Sequence, residues 1–153
     1  MATKKNGVVK MYMDQKKKLW FQYFVFNDKK YGEYIEYYIN GHGQLHIICN
    51  YKNSEKEGVF KSYHRNGQLW DLCNYKNNKK EGIYKNYWDN GQIHYICNYK
   101  NGAFDGEYRS YHQNGQLEKI CNYKNGAFDG EYRSYHQNGK LIEICNYKNG
   151  KKE

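Results

Sequence analysis

Residues 106–129 read GEYRSYHQNGQLEKICNYKNGAFD, and residues 130–153 read GEYRSYHQNGKLIEICNYKNGKKE. The same frame opens earlier at Gly82, Gly58 and Gly32, and residues 98–115 recur letter for letter at 122–139. A fixed period of about 24 residues marks a stacked repeat architecture. It also argues against enzyme chemistry. A catalytic constellation needs unlike residues converging on one point, whereas a repeat supplies like residues in rows.

Two turn signals punctuate each unit. The first is Asn-Gly, at Asn40-Gly41, Asn66-Gly67, Asn90-Gly91, Asn114-Gly115 and Asn138-Gly139. Both residues tolerate positive φ, which makes the pair a strong hairpin signal. The second is the Tyr-Lys-Asn-Gly stretch, as at 123–126, with Ser54 and Asn78 replacing its Gly in two units. Between the turns lie Glu-Tyr-Arg-Ser-Tyr-His and Gln-Leu-x-x-Ile-Cys-Asn-Tyr segments, too short for a stable helix and rich in β-formers. Along the second segment, Leu117, Cys121 and Tyr123 share one parity and Ile120 has the other, so alternation predicts apolar rows on both faces.

The pattern predicts an all-β fold: an elongated antiparallel meander of repeated β-hairpins, built as a single-layer, curved repeat sheet. Roughly 12 strands at ~4.8 Å each would make a rod or curved plate somewhat over 50 Å long. The units run 32–57, 58–81, 82–105, 106–129 and 130–153. Residues 1–31 read as a degenerate, basic N-terminal capping hairpin, with Val8–Met13 and Leu19–Phe26 flanking a Lys-rich turn at Asp14–Lys18. Glu153 stands one residue short of the position at which another Gly would open a unit. The last strand is therefore expected to present an open edge, and self-association through that C-terminal edge strand is one expectation.

Composition narrows the class further. Only 39% of residues are hydrophobic, yet 18% are aromatic and 19 are Tyr. Tyr buries its ring and keeps its hydroxyl wet, which suits a thin sheet rather than a thick core. The complete lack of Pro leaves every backbone N–H able to join a ladder. No segment approaches the roughly 20 apolar residues of a membrane span. The N-terminus lacks the apolar core of a secretory signal. The expected setting is soluble, not secreted, and cytoplasmic.

Cys49, Cys73, Cys97, Cys121 and Cys145 share one phase of the repeat. Equivalent residues in successive hairpins would lie about 9–10 Å apart, too far for a disulfide or a shared zinc. They read as small, reduced, packed hydrophobes. The same spacing argues against a metal ladder at His64, His112 and His136, whose phase is held by Tyr38 and Trp88 elsewhere. No metal or cofactor is expected. Glu57, Glu81, Asp105, Asp129 and Glu153 form an acidic row at the unit boundaries, and Lys52, Lys76, Lys100, Lys124 and Lys148 a basic one. Both read as solvated turn charges worth little.

The net charge of +9 is unevenly spread. Residues 1–31 hold eight Lys against two Asp, which is +6 of the total. Lys16, Lys17, Lys18, Lys29 and Lys30 are therefore the candidate residues for an anionic surface. Lipid headgroups are the favoured ligand there, at about 1 kcal/mol per Lys near a membrane. Nucleic acid is the less favoured ligand, and the leading reading of the cluster is a solubilising, edge-protecting cap. The candidate aromatic interaction rows are Tyr84, Tyr108 and Tyr132, with Trp88, His112 and His136.

The Gly-x-Tyr-x-x-Tyr opening (Gly82, Tyr84, Tyr87; Gly106, Tyr108, Tyr111; Gly130, Tyr132, Tyr135), the following Asn-Gly and the closing Asn-Tyr-Lys-Asn-Gly resemble the MORN repeat over residues 32–153. They are similar to the variant found in bacterial proteins labelled as antitoxin components and in repeat proteins of large DNA viruses of protists. The Cys-containing, Asn- and Lys-rich wording is most similar to the viral members, which would place the protein in host cytoplasm or a virion. The second strand departs from the better-known form in reading Ile-Cys-Asn-Tyr. The resemblance implies a curved β scaffold attached to proteins or membranes. The leading expectation is a non-catalytic scaffold for an unidentified protein partner. A peripheral module for anionic lipid and an antitoxin-like inhibitor of a partner enzyme are the alternatives.

Overall fold

The structure is a computed structural model that describes residues 5–12, 19–39 and 43–153. It divides into two compact units, Met1–Lys79 and Lys80–Glu153. Among the described residues every regular element is a strand. The first unit holds β1 (Gly7–Tyr12), β2 (Leu19–Phe26), β3 (Lys29–Tyr37), β4 (Leu45–Lys52), β5 (Glu55–Tyr63) and β6 (Leu69–Lys76). Each pairs antiparallel with the next. The second holds β7 (Lys79–Tyr87), β8 (Ile93–Lys100), β9 (Ala103–Tyr111), β10 (Leu117–Lys124), β11 (Ala127–Tyr135), β12 (Leu141–Lys148) and β13 (Lys151–Lys152), again paired in chain order. Each unit is thus an antiparallel meander of hairpins. The expected pairing of the Val8 and Leu19 segments is present as β1 and β2, with Val8 opposite Phe24. The Lys-rich turn between them, Lys16–Lys18 included, lies outside the described residues, as do Asn40, Gly41 and His42.

The two turn signals do different jobs. The two-residue loops are the Tyr-Lys-Asn-Gly turns, where Asn125 and Gly126 both take positive φ (51° and 84°). That is the mirror-image turn whose twist matches the flanking strands. The Asn-Gly turn is built otherwise. Gly115 alone is left-handed (φ 82°), and its N–H donates to His112 O at 2.8 Å. Asn114 supplies a side-chain cap, its Oδ1 accepting from Gln116 N at 3.1 Å. Here Asn acts through its amide rather than through a positive φ.

The register also corrects the alternation read from the sequence. Lys119 lies opposite Ser110, but Leu117 lies opposite Tyr111, so Glu118 is an extra residue in β10. This β-bulge turns Leu117 to the face of Ile120 and away from Cys121. The same irregularity recurs at β4, β6, β8 and β12.

The two sheet faces therefore differ. One carries Tyr84, Tyr108 and Tyr132 opposite Cys97, Cys121 and Cys145. On this aromatic face Tyr99, Phe104, Tyr123, Phe128 and Tyr147 form a continuous run of rings with centroids 4.6, 4.9, 4.5 and 5.1 Å apart. Such pairs contribute about 0.5–1.5 kcal/mol each beyond area burial. In the first unit lysines stand where the phenylalanines do: Lys30 Nζ lies 4.6 Å from the Tyr23 centroid, and Lys56 Nζ 4.9 Å from that of Phe60.

The core is this one layer. Its buried members among the described residues are Cys49, Cys73, Cys97 and Cys121, with Tyr84, Ser62, Asn86 and Ser110. Cysteine fits because a small side chain lets tyrosine rings from both flanking strands close over it. Cys121, for instance, lies between Tyr108 and Tyr132 and is 1% exposed. All five cysteines are thiols without a disulfide. Burial pushes Cys49 and Cys121 up to about 11, whereas Cys145 is only half-buried. Because the thiolate is the reactive form, an aromatic disulfide reagent at mild alkaline pH should modify one thiol per native chain rapidly. Peptide mapping should identify it as Cys145, with the other four reacting only in denaturant. Rapid modification of Cys121 would overturn this packing.

Candidate interaction surface

The hairpin loops in the second unit build the most differentiated surface. The bulge in β10 brings Glu118 onto the aromatic face, where Ser110 Oγ donates to its Oε2 at 2.8 Å. In β8 the bulge residue is His94, whose Nδ1 lies 2.8 Å from Asn86 Oδ1. Since that oxygen can only accept, the Nδ1 proton points at it and Nε2 keeps its lone pair. Burial holds the His94 imidazole below its usual range, with Glu118 pulling partly the other way. The Trp88 ring lies against His94 at 3.7 Å.

Trp88 also explains its own row. Its Nε1–H donates to Tyr111 O at 3.2 Å. His112 Nε2 lies 2.9 Å from Tyr135 O, and in the first unit the Tyr38 hydroxyl donates to Tyr63 O at 2.6 Å. Tyr, Trp and His interchange here because each is a flat ring with a donor at its far end. The row is thus a set of struts from one hairpin to the backbone of the next. The sequence shows that the three residue types share a phase; the carbonyl partner is invisible without the register.

The acidic row likewise has a structural task. Glu81 Oε2 accepts from Asn101 N at 2.8 Å, and Asp105 Oδ2 from Asn125 N at 3.2 Å. In the first unit Glu57 Oε2 accepts from Asn77 N at 2.9 Å. Each carboxylate caps the left-handed turn one hairpin further on. These charges are therefore engaged rather than merely solvated. Among the described residues one ion pair joins the acidic row to the basic one, Lys148 Nζ to Asp129 Oδ1 at 3.4 Å.

The expected site residues end up dispersed. Lys29 and Lys30 are neighbours in β3 and so face opposite sides of the sheet. The Lys30 ammonium rests over the rings of Tyr23, Tyr34 and Tyr51. Lys16, Lys17 and Lys18 lie outside the described residues. Tyr84 is 5% exposed, so its ring is spent on packing, while Tyr108 and Tyr132 are half-buried. His136 is exposed. Among the described residues no group of three His, Cys, Asp or Glu is placed to hold a metal ion, and no helix is long and apolar enough to cross a membrane.

The opposite, aliphatic face carries what sequence reasoning missed. The registers align Lys85, Ile96, Arg109, Ile120, Arg133 and Ile144 in one row across β7 to β12. Each arginine is tied along its own strand, Arg109 Nε to Glu107 Oε1 at 2.9 Å and Arg133 Nη2 to Glu131 Oε1 at 2.8 Å. Ile83 and Ile144 are 60% and 53% exposed. The signal was present as alternating Arg and Ile at fixed phase, but only the register shows that the two phases share a row.

A family model described as the MORN repeat variant matches residues 56–77, 80–101, 104–125 and 128–149. Each matched segment begins two residues ahead of the Gly that opens a unit, at Lys56, Lys80, Phe104 and Phe128. The first unit of the repeat, opening at Gly32, lies outside the match. No curated protein matches the chain.

Proposed function

The chain belongs to the MORN repeat variant family, and on that premise we propose that it is a non-catalytic scaffold that binds a protein partner through the aliphatic face of its second unit. MORN repeats are generally linked to protein and membrane interaction. The observation that carries the reading is the row from Lys85 to Ile144. It is a solvent-facing stripe in which arginines braced by glutamates alternate with isoleucines, and Tyr111 and Tyr135 adjoin it on β9 and β11. Arg and Tyr supply much of the energy of protein interfaces, and pre-ordered side chains lose less entropy on binding. The aromatic face supports the same division of labour, since its rings are occupied with one another. The five thiols support an intracellular setting.

The test places a photoreactive phenylalanine analogue at Ile120, and separately at Tyr123 on the aromatic face, and cross-links in the source cell. The expected result is one discrete adduct from position 120, lost on Arg109→Glu with Arg133→Glu, and none from position 123. No adduct at position 120, together with salt-sensitive sedimentation on anionic but not neutral vesicles, would replace this reading with the membrane one.

A further inference from the structure

The second unit contains a groove of about 240 Å³ at the loop end of its aromatic face, lined by Trp88, His94, His112, Gln113, Glu118 and Gln137. The first unit shows what belongs in such a slot. There Tyr38 holds the strut position of Trp88, and it stacks on His46 at 4.2 Å just as Trp88 stacks on His94. Over the Tyr38 ring, 5.0 Å from its centroid, lies the guanidinium of Arg65. Arg65 comes from the loop of the following hairpin, immediately after its strut residue. The residue at that phase beside Trp88 is Gln113, which carries no charge.

A second difference points the same way. The bulge residue of that following hairpin is Trp70 in the first unit and Glu118 in the second. The slot beside Trp88 therefore has the aromatic stack that a guanidinium covers, lacks the internal guanidinium, and carries its carboxylate on the far wall, at Glu118, whereas the first unit's carboxylate, Glu36, is engaged with His46 at 3.0 Å. The other polar groups of the wall favour a donor as well. Trp88 Nε1–H is consumed by Tyr111 O, and His112 Nε2 by Tyr135 O, which leaves Nδ1 to accept. His94 presents Nε2 as an acceptor because its Nδ1 faces Asn86. Glu118 uses one oxygen for Ser110 and has the other to accept elsewhere.

We propose that this groove is a binding site for an arginine side chain of a protein partner, which lays its guanidinium on the Trp88–His94 stack and donates to Glu118. Arginine is favoured over lysine because a planar guanidinium both stacks on an aromatic ring and presents paired donors to a carboxylate. The volume suits one side chain rather than a peptide backbone. The site lies on the aromatic face, so it stands independently of the aliphatic row.

The test is a nuclear magnetic resonance titration of the full chain with N-acetyl-arginine methylamide, its lysine counterpart and its neutral citrulline isostere. Arginine should move the Trp88 indole N–H and the amides near residues 94 and 118 saturably, while the indoles of Trp20 and Trp70 stay put. Lysine should bind more weakly, and citrulline should produce no saturable shift. Glu118→Gln should weaken arginine binding about tenfold, the loss expected of a charge-assisted hydrogen bond. Gln113→Arg, which restores the first unit's own arrangement and leaves the carboxylate in place, should abolish it by filling the groove from within. Equal shifts with citrulline, or undiminished binding to the folded Gln113→Arg variant, would overturn the proposal. The Ile120 cross-link does not depend on either result.

Discussion

Raising the pH from 8 through about 12 is expected to unfold the protein cooperatively, with tyrosine and cysteine ionisation bunched into the unfolding step rather than spread over their ordinary ranges. The reason is the one-layer core. Burial pushes Cys49 and Cys121 from 9.0 up to about 11, and Tyr75 and Tyr123 from 10.0 up to about 12. Tyr34, Tyr38, Tyr51 and Tyr108 move in the same direction. For Tyr34 the hydroxyl's donation to Glu36 Oε2 at 2.6 Å adds to the effect of burial.

All these groups have folded values above their unfolded ones. Their contribution is complete below the unfolded values of 9.0 and 10.0 and is lost as pH climbs through the folded ones, because the unfolded chain releases its protons first. On the acid side the lowered groups are His94, held down by burial, and the part-exposed carboxylates Asp129 and Glu143, held down chiefly by the Asn149 N–H and by Lys152. The surface carboxylates contribute little, so acidification removes mainly the His94 contribution, because the unfolded imidazole takes up its proton first. The stability profile should therefore be lopsided, declining modestly as pH falls below the ordinary imidazole value of 6.5 and falling steeply above about pH 10. Thermal melts followed by circular dichroism, paired with near-ultraviolet tyrosinate absorbance, would show it. Tyrosines titrating smoothly around their usual value in a chain that stays folded would contradict the account.

How much of this was legible in the sequence follows from what each signal encodes. The fixed phase of Gly, Tyr, Asn-Gly and Cys was enough for hairpin repeats, because turn chemistry is local and the alternation of β-formers is local too. The family membership of residues 56–149 rests on the same local wording. Register is not local. The bulge at Glu118 cannot be seen in Gln-Leu-Glu-Lys-Ile-Cys, where strict alternation puts Leu117 beside Cys121; the extra residue appears only when Leu117 is found opposite Tyr111. The acidic row failed for the same reason, since Glu81 bonds a backbone N–H twenty residues on, at Asn101. The candidate site suffered most. Tyr84 drew notice by its regular spacing, but regular spacing in a thin sheet marks packing, whereas Arg65 and Gln113 differ at one phase and that departure singles out the groove.

Replacing Tyr84 with alanine is expected to cost about 3–5 kcal/mol, the range for deleting a buried aromatic side chain. Tyr84 is the most enclosed tyrosine on the aromatic face, at 5% exposure. Its ring contacts Tyr95 and Tyr99 at centroid distances of 5.4 and 5.7 Å and carries the Lys80 ammonium 4.1 Å above it. It also faces Cys97 directly across β7 and β8. A sheet with a second layer would collapse into the gap from the far side, but here the gap opens to water, so little is recovered by relaxation. For a chain of this length the loss corresponds to a fall of roughly 10 °C or more in Tm. The same deletion should unmask a thiol. Cys97, at 2% exposure in the native sheet, should join Cys145 in reacting rapidly with a thiol reagent, while Cys121 stays protected two strands away. The pairing of the two readouts separates a local opening from global unfolding, because global unfolding would release all five thiols together. A loss below about 1 kcal/mol with Cys97 still protected would mean that the tyrosine rows do not hold the sheet.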